Sequence, residues 1–475
     1  MKALLKRGAQ HIRTGGLGRN AIFSMGQSVV SIVCLFLSYR VVIGYEGIES
    51  LGLWSLLMLF GGVAGSFDIS GAAALARSVA RHGQDFFDHT QASVIHTVLL
   101  TSVAINGVFV AVLLASAPAL LSHMIAPSQW EEAWRLLPWV AVLMLMTPLA
   151  IGISAAIDGH MRADIRAVLV SIAAVVGLVV AVIAIPHWGL SGFALAQAVQ
   201  QTTVIVGGWL ILRRRVPGLG WLPTKWRRVI FRSTTGYALR LNVIGALSLL
   251  LEPLTKYCIN LSGGTSAVGI YELAARLAIQ VRNLVLSSTT PLIPAFAMAK
   301  ASSDPYFASL LHRSQRYSNL AALAVALITL FAAPIMCLVM LDHVSVDVLR
   351  FNALLALGWS VNLFSLPLYL AAQGQGTLRW NMLSHATVGA VIVAATILLM
   401  PSFGSEGVVM GVAAGLMAGA FVTIAGNAVR FAVWPAIARE LPLMSILLLV
   451  IVAACGAMWA GADHVADFIG GMLHR

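Results

Sequence analysis

Charge is what this sequence has least of. Only 10% of its 475 residues are Asp, Glu, Lys or Arg, where a soluble domain carries about a quarter, so the chain cannot clothe a water-facing surface. Acids are the scarcer sign, 18 against 30 Lys and Arg. The four cysteines, Cys34, Cys258, Cys337 and Cys455, sit inside apolar runs without metal-ligand spacing, which excludes a disulfide scaffold and reads as small core residues. Asp-x-Asp pairs, Ser/His/Asp arrangements of recognisable spacing and long polar stretches are all missing. The sequence therefore predicts no enzyme, no cofactor and no metal site, and leaves no room for a separate soluble catalytic domain.

What is there is apolar: 59% hydrophobic residues, 42 glycines and a mean hydropathy of +0.89. Apolar windows fall at about 21–43, 51–73, 92–121, 134–157, 165–186, 190–212, 238–260, 266–298, 318–341, 347–372, 380–400, 405–427 and 442–462. A membrane span needs about 20 such residues, so an all-α polytopic membrane protein with 13 spans is predicted. The basic start MKALLKRGAQHIRTGGLGRN lacks a cleavage-site pattern, and the first span is expected to be retained.

Lys and Arg collect on the cytoplasmic side of alternate loops. With a cytoplasmic N-terminus that side receives 23 of them, and the other side only Arg40, Arg135, Arg350 and Arg475. The net charge of +12 is thereby assigned to topology and anionic lipid headgroups, and no nucleic-acid partner is expected.

The chain also repeats. Leu51-Gly52-Leu53-Trp54 returns as Val268-Gly269-Ile270-Tyr271 and Gly159-His160-Met161-Arg162 as Gly376-Thr377-Leu378-Arg379, both displaced by 217 residues. The stretch from Pro186 to Gly192 returns at Pro401 to Gly407, displaced by 215. Each match falls at a corresponding span end, which predicts a duplicated six-helix unit. The expected organisation is a basic cytoplasmic N-terminus (1–19), an N-lobe (20–212), a basic linker (213–237), a C-lobe (238–430) and an extra C-terminal span and tail (431–475). Two lobes of this kind enclose a cavity and rock against each other in alternating access.

Arg19-Asn20 before span 1, Gly52-Leu53-Trp54-Ser55, Glu252-Pro253-Leu254-Thr255-Lys256, the stretch from Val268 to Leu277, Pro367-Leu368-Tyr369, and Gly374 to Arg379 stand out. Together these segments resemble polysaccharide-biosynthesis flippases of the Wzx type, within the multidrug/oligosaccharidyl-lipid/polysaccharide (MOP) exporter superfamily. The resemblance covers about residues 19–430 and is most specific in spans 7 and 8. It implies two pseudo-symmetric six-helix lobes in a V, MATE-like. It also implies movement of an undecaprenyl-diphosphate-linked oligosaccharide from the cytoplasmic to the outer leaflet of a bacterial inner membrane. Membrane lipid, the lipid-linked cargo and other polysaccharide-assembly proteins are the partners it suggests.

Six ionisable residues fall inside predicted spans: Asp68, Glu252, Lys256, Glu272, Arg276 and Arg282. Each costs about 2.5–3.5 kcal/mol at mid-helix on insertion scales, so they must face protein or water. Five lie on spans 7 and 8, where Glu252/Lys256 and Glu272/Arg276 are i,i+4 pairs in the favourable order. One reading is a self-neutralised staple within the lobe. The other is a cavity lining in which cations meet a diphosphate. Arg282 has no acid at i±3 or i±4 and is the first candidate for a ligand; Arg276 and Lys256 follow, with Asn20, Asn242 and Asn362 as polar lining. Glu272, Glu252 and Asp68 are the candidates for H+ or Na+ coupling. The alternatives are an ion-coupled multidrug exporter, which should carry unpaired acids instead, a peptidoglycan-precursor flippase, and a membrane glycosyltransferase or polymerase.

Overall fold

The computed structural model describes residues 16–66, 89–160, 162–232, 251–289, 292–298 and 305–473. Among them there is no strand. In hydrocarbon every backbone N–H must find its partner within the segment, and this chain meets that demand with helices. They are α1 (Gly16–Ser66), α2 (His89–Met124), α3 (Trp130–Gly159), α4 (Ala163–Arg215), α5 (Leu251–Thr289), α6 (Leu292–Met298), α7 (Pro305–Leu341), α8 (Val346–Leu363), α9 (Leu366–Gln375), α10 (Arg379–Arg430), α11 (Trp434–Ala460) and α12 (Ala462–Leu473). Val168, Ile172, Val175, Val179 and Ile183 form an exposed apolar stripe along α4. Such a face needs an apolar partner, which lipid supplies.

Among the described residues seven helices are long and apolar enough to cross a membrane, eight if the bent pair α8/α9 is one span. Three of the seven, α1, α4 and α10, run to 51, 53 and 52 residues, more than twice the length of one crossing. Each contains one glycine with non-helical backbone angles, as does α5. Gly47 (φ 82, ψ 171) matches Gly264 (φ 69, ψ −172), and Gly189 (φ 55, ψ −135) matches Gly404 (φ 56, ψ −135). The pairs are 217 and 215 residues apart, the offsets of the sequence repeat. Only glycine adopts such angles without strain. All four fall between predicted spans, at 1/2, 7/8, 5/6 and 11/12.

These glycines reverse the chain. In α4, a Cβ on Gly177 would press on Gln200 and one on Gly207 on Leu169; in α10, one on Gly415 would meet Val388 and Ile392 and one on Gly426 would strike Trp380. The two arms of each helix therefore pack antiparallel through small residues, the device membrane helices use for close approach. The Ser384 hydroxyl donates to the Gly419 carbonyl at 2.7 Å across the α10 hairpin.

The chain divides into two compact units, Met1–Glu46 with Leu57–Ala246, and Gly47–Leu56 with Leu247–Arg475. The segment Gly47–Leu56 of α1, from the kink onward, thus belongs to the second unit. The first unit's core gathers Ile95, Leu99, Ile153, Leu212, Val216 and Leu219. In the second, α11 packs on α7 and α8, and Phe296, Phe307 and Phe431 join in a chain of rings with centroids 5.4 Å apart.

The tenth predicted span, 347–372, is broken. α8 and α9 meet at 47° across Phe364 and Ser365. Pro367, in the first turn of α9, has no N–H for the Leu363 carbonyl four residues back. Ser318 supplies the missing donor, its hydroxyl 2.6 Å from that oxygen, and the Gln315 amide donates to the Phe364 carbonyl at 2.8 Å.

Candidate functional site

The α5 hairpin brings together four charges that the sequence separates by up to 24 positions. Folding back at Gly264 sets Lys256 beside Glu272, with Nζ 2.8 Å from Oε2. Lys256 also reaches Glu252 Oε1 at 2.8 Å, and Arg276 Nε donates to Glu272 Oε1 at 2.5 Å. Lys256 and Glu272 are buried, 4% and 3% exposed, whereas Glu252 is 57% exposed. Ser55 completes the cluster by donating its hydroxyl to Glu272 Oε2 at 2.8 Å. Both carboxylate oxygens of Glu272 are thereby occupied. A buried ion pair is tolerable only when its remaining hydrogen-bonding capacity is met in this way.

One turn before Ser55 the backbones touch. A Cβ at Gly52 would land on the Thr265 carbonyl oxygen, and one at Gly269 on the Ile48 carbonyl oxygen. Ile48 and Thr265, Gly52 and Gly269, and Ser55 and Glu272 are each 217 residues apart. Repeat-equivalent residues therefore meet one another about a local twofold inside the second unit. At the same offset Glu252, Lys256, Glu272, Arg276 and Arg282 correspond to Leu35, Tyr39, Ser55, Leu59 and Gly65, so the charges belong to one repeat alone.

Arg282 stands apart from the cluster. Its guanidinium carbon lies 4.3 Å from the centre of the Trp359 ring, and its Nε is buried without a hydrogen-bond partner. Of the three cations in predicted spans it alone has no carboxylate within 4 Å among the described residues. Tyr369 and His385 are within its electrostatic reach; they hold each other through a 3.2 Å contact between the phenol oxygen and Nε2 and an edge-on ring contact. Asn362 lies three residues from Trp359 on α8 and so on the same face. Its side chain has no hydrogen-bond partner among the described residues. Asn20 is placed on α1. Asp68 and Asn242 lie outside the described residues.

A second buried polar group escaped the sequence reading. Glu440 on α11 is 7% exposed; His312 Nδ1 lies 3.1 Å from its Oε1, and Asn319 donates to Oε2 at 3.2 Å. Asn319 accepts in turn from Gln315 at 2.9 Å, the residue that also caps the α8/α9 break. Its sequence signal was Gln315, Ser318 and Asn319 on one helical face; Glu440 itself lies two residues before the window 442–462. Ser55 was signalled by the repeat offset, but a serine aligned with a glutamate does not register as a match. Trp359 had no signal, being one of 12 tryptophans. Among the described residues no cluster of His, Cys, Asp or Glu could hold a metal ion.

The fold is that of MOP-superfamily transporters. The chain is similar to an inward-facing multidrug-resistance MATE transporter of that superfamily (TM-score 0.64, 16% identity, 87% of this chain and 98% of that one). It is similar to MATE in complex with MaL6 (0.63, 18%, 88% and 96%). It is also similar to a MOP superfamily transporter from Pyrococcus furiosus, described as having a binding pocket of reverse polarity that suggests a different function (0.63, 16%, 88% and 95%). Residues 47–300, more than half of the chain, match the family described as polysaccharide biosynthesis protein. The chain belongs to that family. Comparison with curated protein sequences gave no match.

Proposed function

We propose that the protein is a flippase that carries an undecaprenyl-diphosphate-linked oligosaccharide from the cytoplasmic to the outer leaflet of a bacterial inner membrane, for cell-surface polysaccharide biosynthesis. In this reading lobes 20–212 and 238–430, joined by the linker 213–237, work by alternating access, with the N-terminus cytoplasmic. The observation that carries it is Arg282, a membrane cation with an aromatic partner and no carboxylate among the described residues. A planar guanidinium matches phosphate oxygens bidentately, and in a low-dielectric site its charge is weakly screened. Arg276 is the second anion contact, half-exposed beside Glu272. Lys256 holds the hairpin, and Asn20, Asn242 and Asn362 offer amides to sugar hydroxyls.

Coupling to H+ or Na+ is assigned first to Glu252, the one exposed carboxylate of the cluster, with Glu272 and Asp68 behind it. An exporter of cationic drugs would need free acids in the cavity; the acids of the α5 hairpin are instead paired with cations. The test is a knockout complemented with Arg282→Ala. Surface glycan should be lost and lipid-linked oligosaccharide should accumulate on the inner face while the variant is still found in the membrane. Export at the wild-type level would overturn the reading.

A further inference from the structure

The last turn of α4 and the stretch that follows it, residues 213–232, carry seven Lys and Arg and no acid. This segment is packed in place. Val216 and Leu219 are buried against Ile95, Leu99 and Leu212. The Arg227 backbone N–H donates to Thr97 Oγ1 at 3.1 Å and the Trp226 indole N–H to Thr101 Oγ1 at 3.3 Å. Thr97 and Thr101 are 8 and 12 residues into α2, about 12–18 Å along its axis, so the segment lies beside a membrane helix and not beyond its end.

The other face of the segment is exposed and of mixed character. Trp221 is 73% exposed and Val229 82%, with Leu222 and Trp226 also open, and Lys225, Arg227, Arg228 and Arg232 are exposed among them. The Arg213 guanidinium lies 3.5 Å over the Trp221 ring, and its Nε is buried without a hydrogen-bond partner. A loop in water has no reason to show two tryptophans, a leucine and a valine. A protein interior would not hold seven uncompensated cations. The headgroup region accepts both, since indole rings settle at that depth and Lys and Arg reach anionic phosphates.

We propose that residues 213–232 form a binding surface for anionic phospholipid headgroups of the leaflet on their side, with Trp221 and Trp226 as anchors and Lys225, Arg227 and Arg228 on the phosphates. The inference does not depend on what the protein transports. Each cation beside an anionic surface is worth about fivefold in partitioning.

The test uses the full-length protein in vesicles of phosphatidylcholine containing brominated phosphatidylglycerol or brominated phosphatidylcholine at equal mole fraction. The part of tryptophan quenching that disappears in Trp221→Phe/Trp226→Phe reports these two rings. That part should be severalfold larger with brominated phosphatidylglycerol. It should fall to the phosphatidylcholine level in high salt and in Lys225→Gln/Arg227→Gln/Arg228→Gln, which leaves Val216, Leu219 and the Arg227 backbone bond in place. Quenching of the other tryptophans checks that this variant is folded. Equal quenching by both lipids, quenching by neither, or a preference that survives the triple variant would each overturn the proposal. So would displacement by an undecaprenyl-diphosphate probe but not by phosphatidylglycerol, which would make the surface a cargo site.

Discussion

Ser55 donates a 2.8 Å hydrogen bond to Glu272, and the two are the same position in successive copies of a duplicated unit, 217 residues apart. One copy kept a hydroxyl where the other holds a carboxylate together with Lys256 and Arg276. A hydrogen bond to a charged group contributes about 1.5–3 kcal/mol. Ser55→Ala should therefore lower the thermal midpoint of the purified protein measurably. Gly52→Ala should lower it further, because its Cβ meets a backbone oxygen that cannot rotate away.

The Lys256–Glu272 pair is expected to behave as a coupled unit. Lys256→Met alone leaves a buried carboxylate with a reduced set of donors, and breaking a buried pair from one side costs about 3–5 kcal/mol. Lys256→Met/Glu272→Gln should recover much of that loss. A thermal-stability double-mutant cycle with additive effects would show that the two side chains do not interact.

Trp359→Ala should separate the roles of charge and stacking at Arg282. Cation–π contact is worth about 0.5–2 kcal/mol, so transport in inverted vesicles should fall several-fold in Trp359→Ala and much further in Arg282→Ala. Equal effects would mean that the ring, and not the charge, governs the site.

The bend between α8 and α9 gives a prediction of different size in two backgrounds. Ser318→Ala orphans the Leu363 carbonyl, at a cost of about 1–3 kcal/mol. In Pro367→Ala a backbone N–H is available for that oxygen, and the added cost of Ser318→Ala should shrink. An unchanged cost would mean that the hydroxyl acts elsewhere.

Gly404→Ala measures backbone strain by itself, since a Cβ there meets nothing within 4 Å, whereas one at Gly189 strikes the Glu46 carboxylate. Strain at such angles costs about 1–3 kcal/mol. Both variants should be destabilised, Gly189→Ala the more, and Glu46→Ala should narrow the difference between them.

The membrane class, the helical windows and the duplication were all legible in the sequence, because hydropathy and repetition are properties of order along the chain. The predicted turns at spans 5/6 and 11/12 fall on Gly189 and Gly404, with backbone angles repeated to within a degree. The break in the tenth predicted span was not legible, although Pro367 was in view. Whether a proline kinks or ends a helix depends on whether donors such as Ser318 and Gln315 stand ready on another helix. Glu440 was passed over because it lies just outside its apolar window, and only the packing of α11 on α7 buries it beside Asn319.

By itself the sequence determined that the chain crosses a membrane many times, that it is built from two like halves, and that five of the six charges in its predicted spans sit on two neighbouring ones. Spacing restricts how charges on one helix can pair, so Glu252 with Lys256 and Glu272 with Arg276 could be read in advance. Tertiary structure decided everything across the fold-back: that Lys256 meets Glu272, that Ser55 joins them from a residue 217 places away, and that Arg282 faces Trp359 instead of an acid. The physical reason is that a charge in hydrocarbon must be satisfied within a few ångströms, and which groups come within that distance is set by helix packing and not by position in the chain.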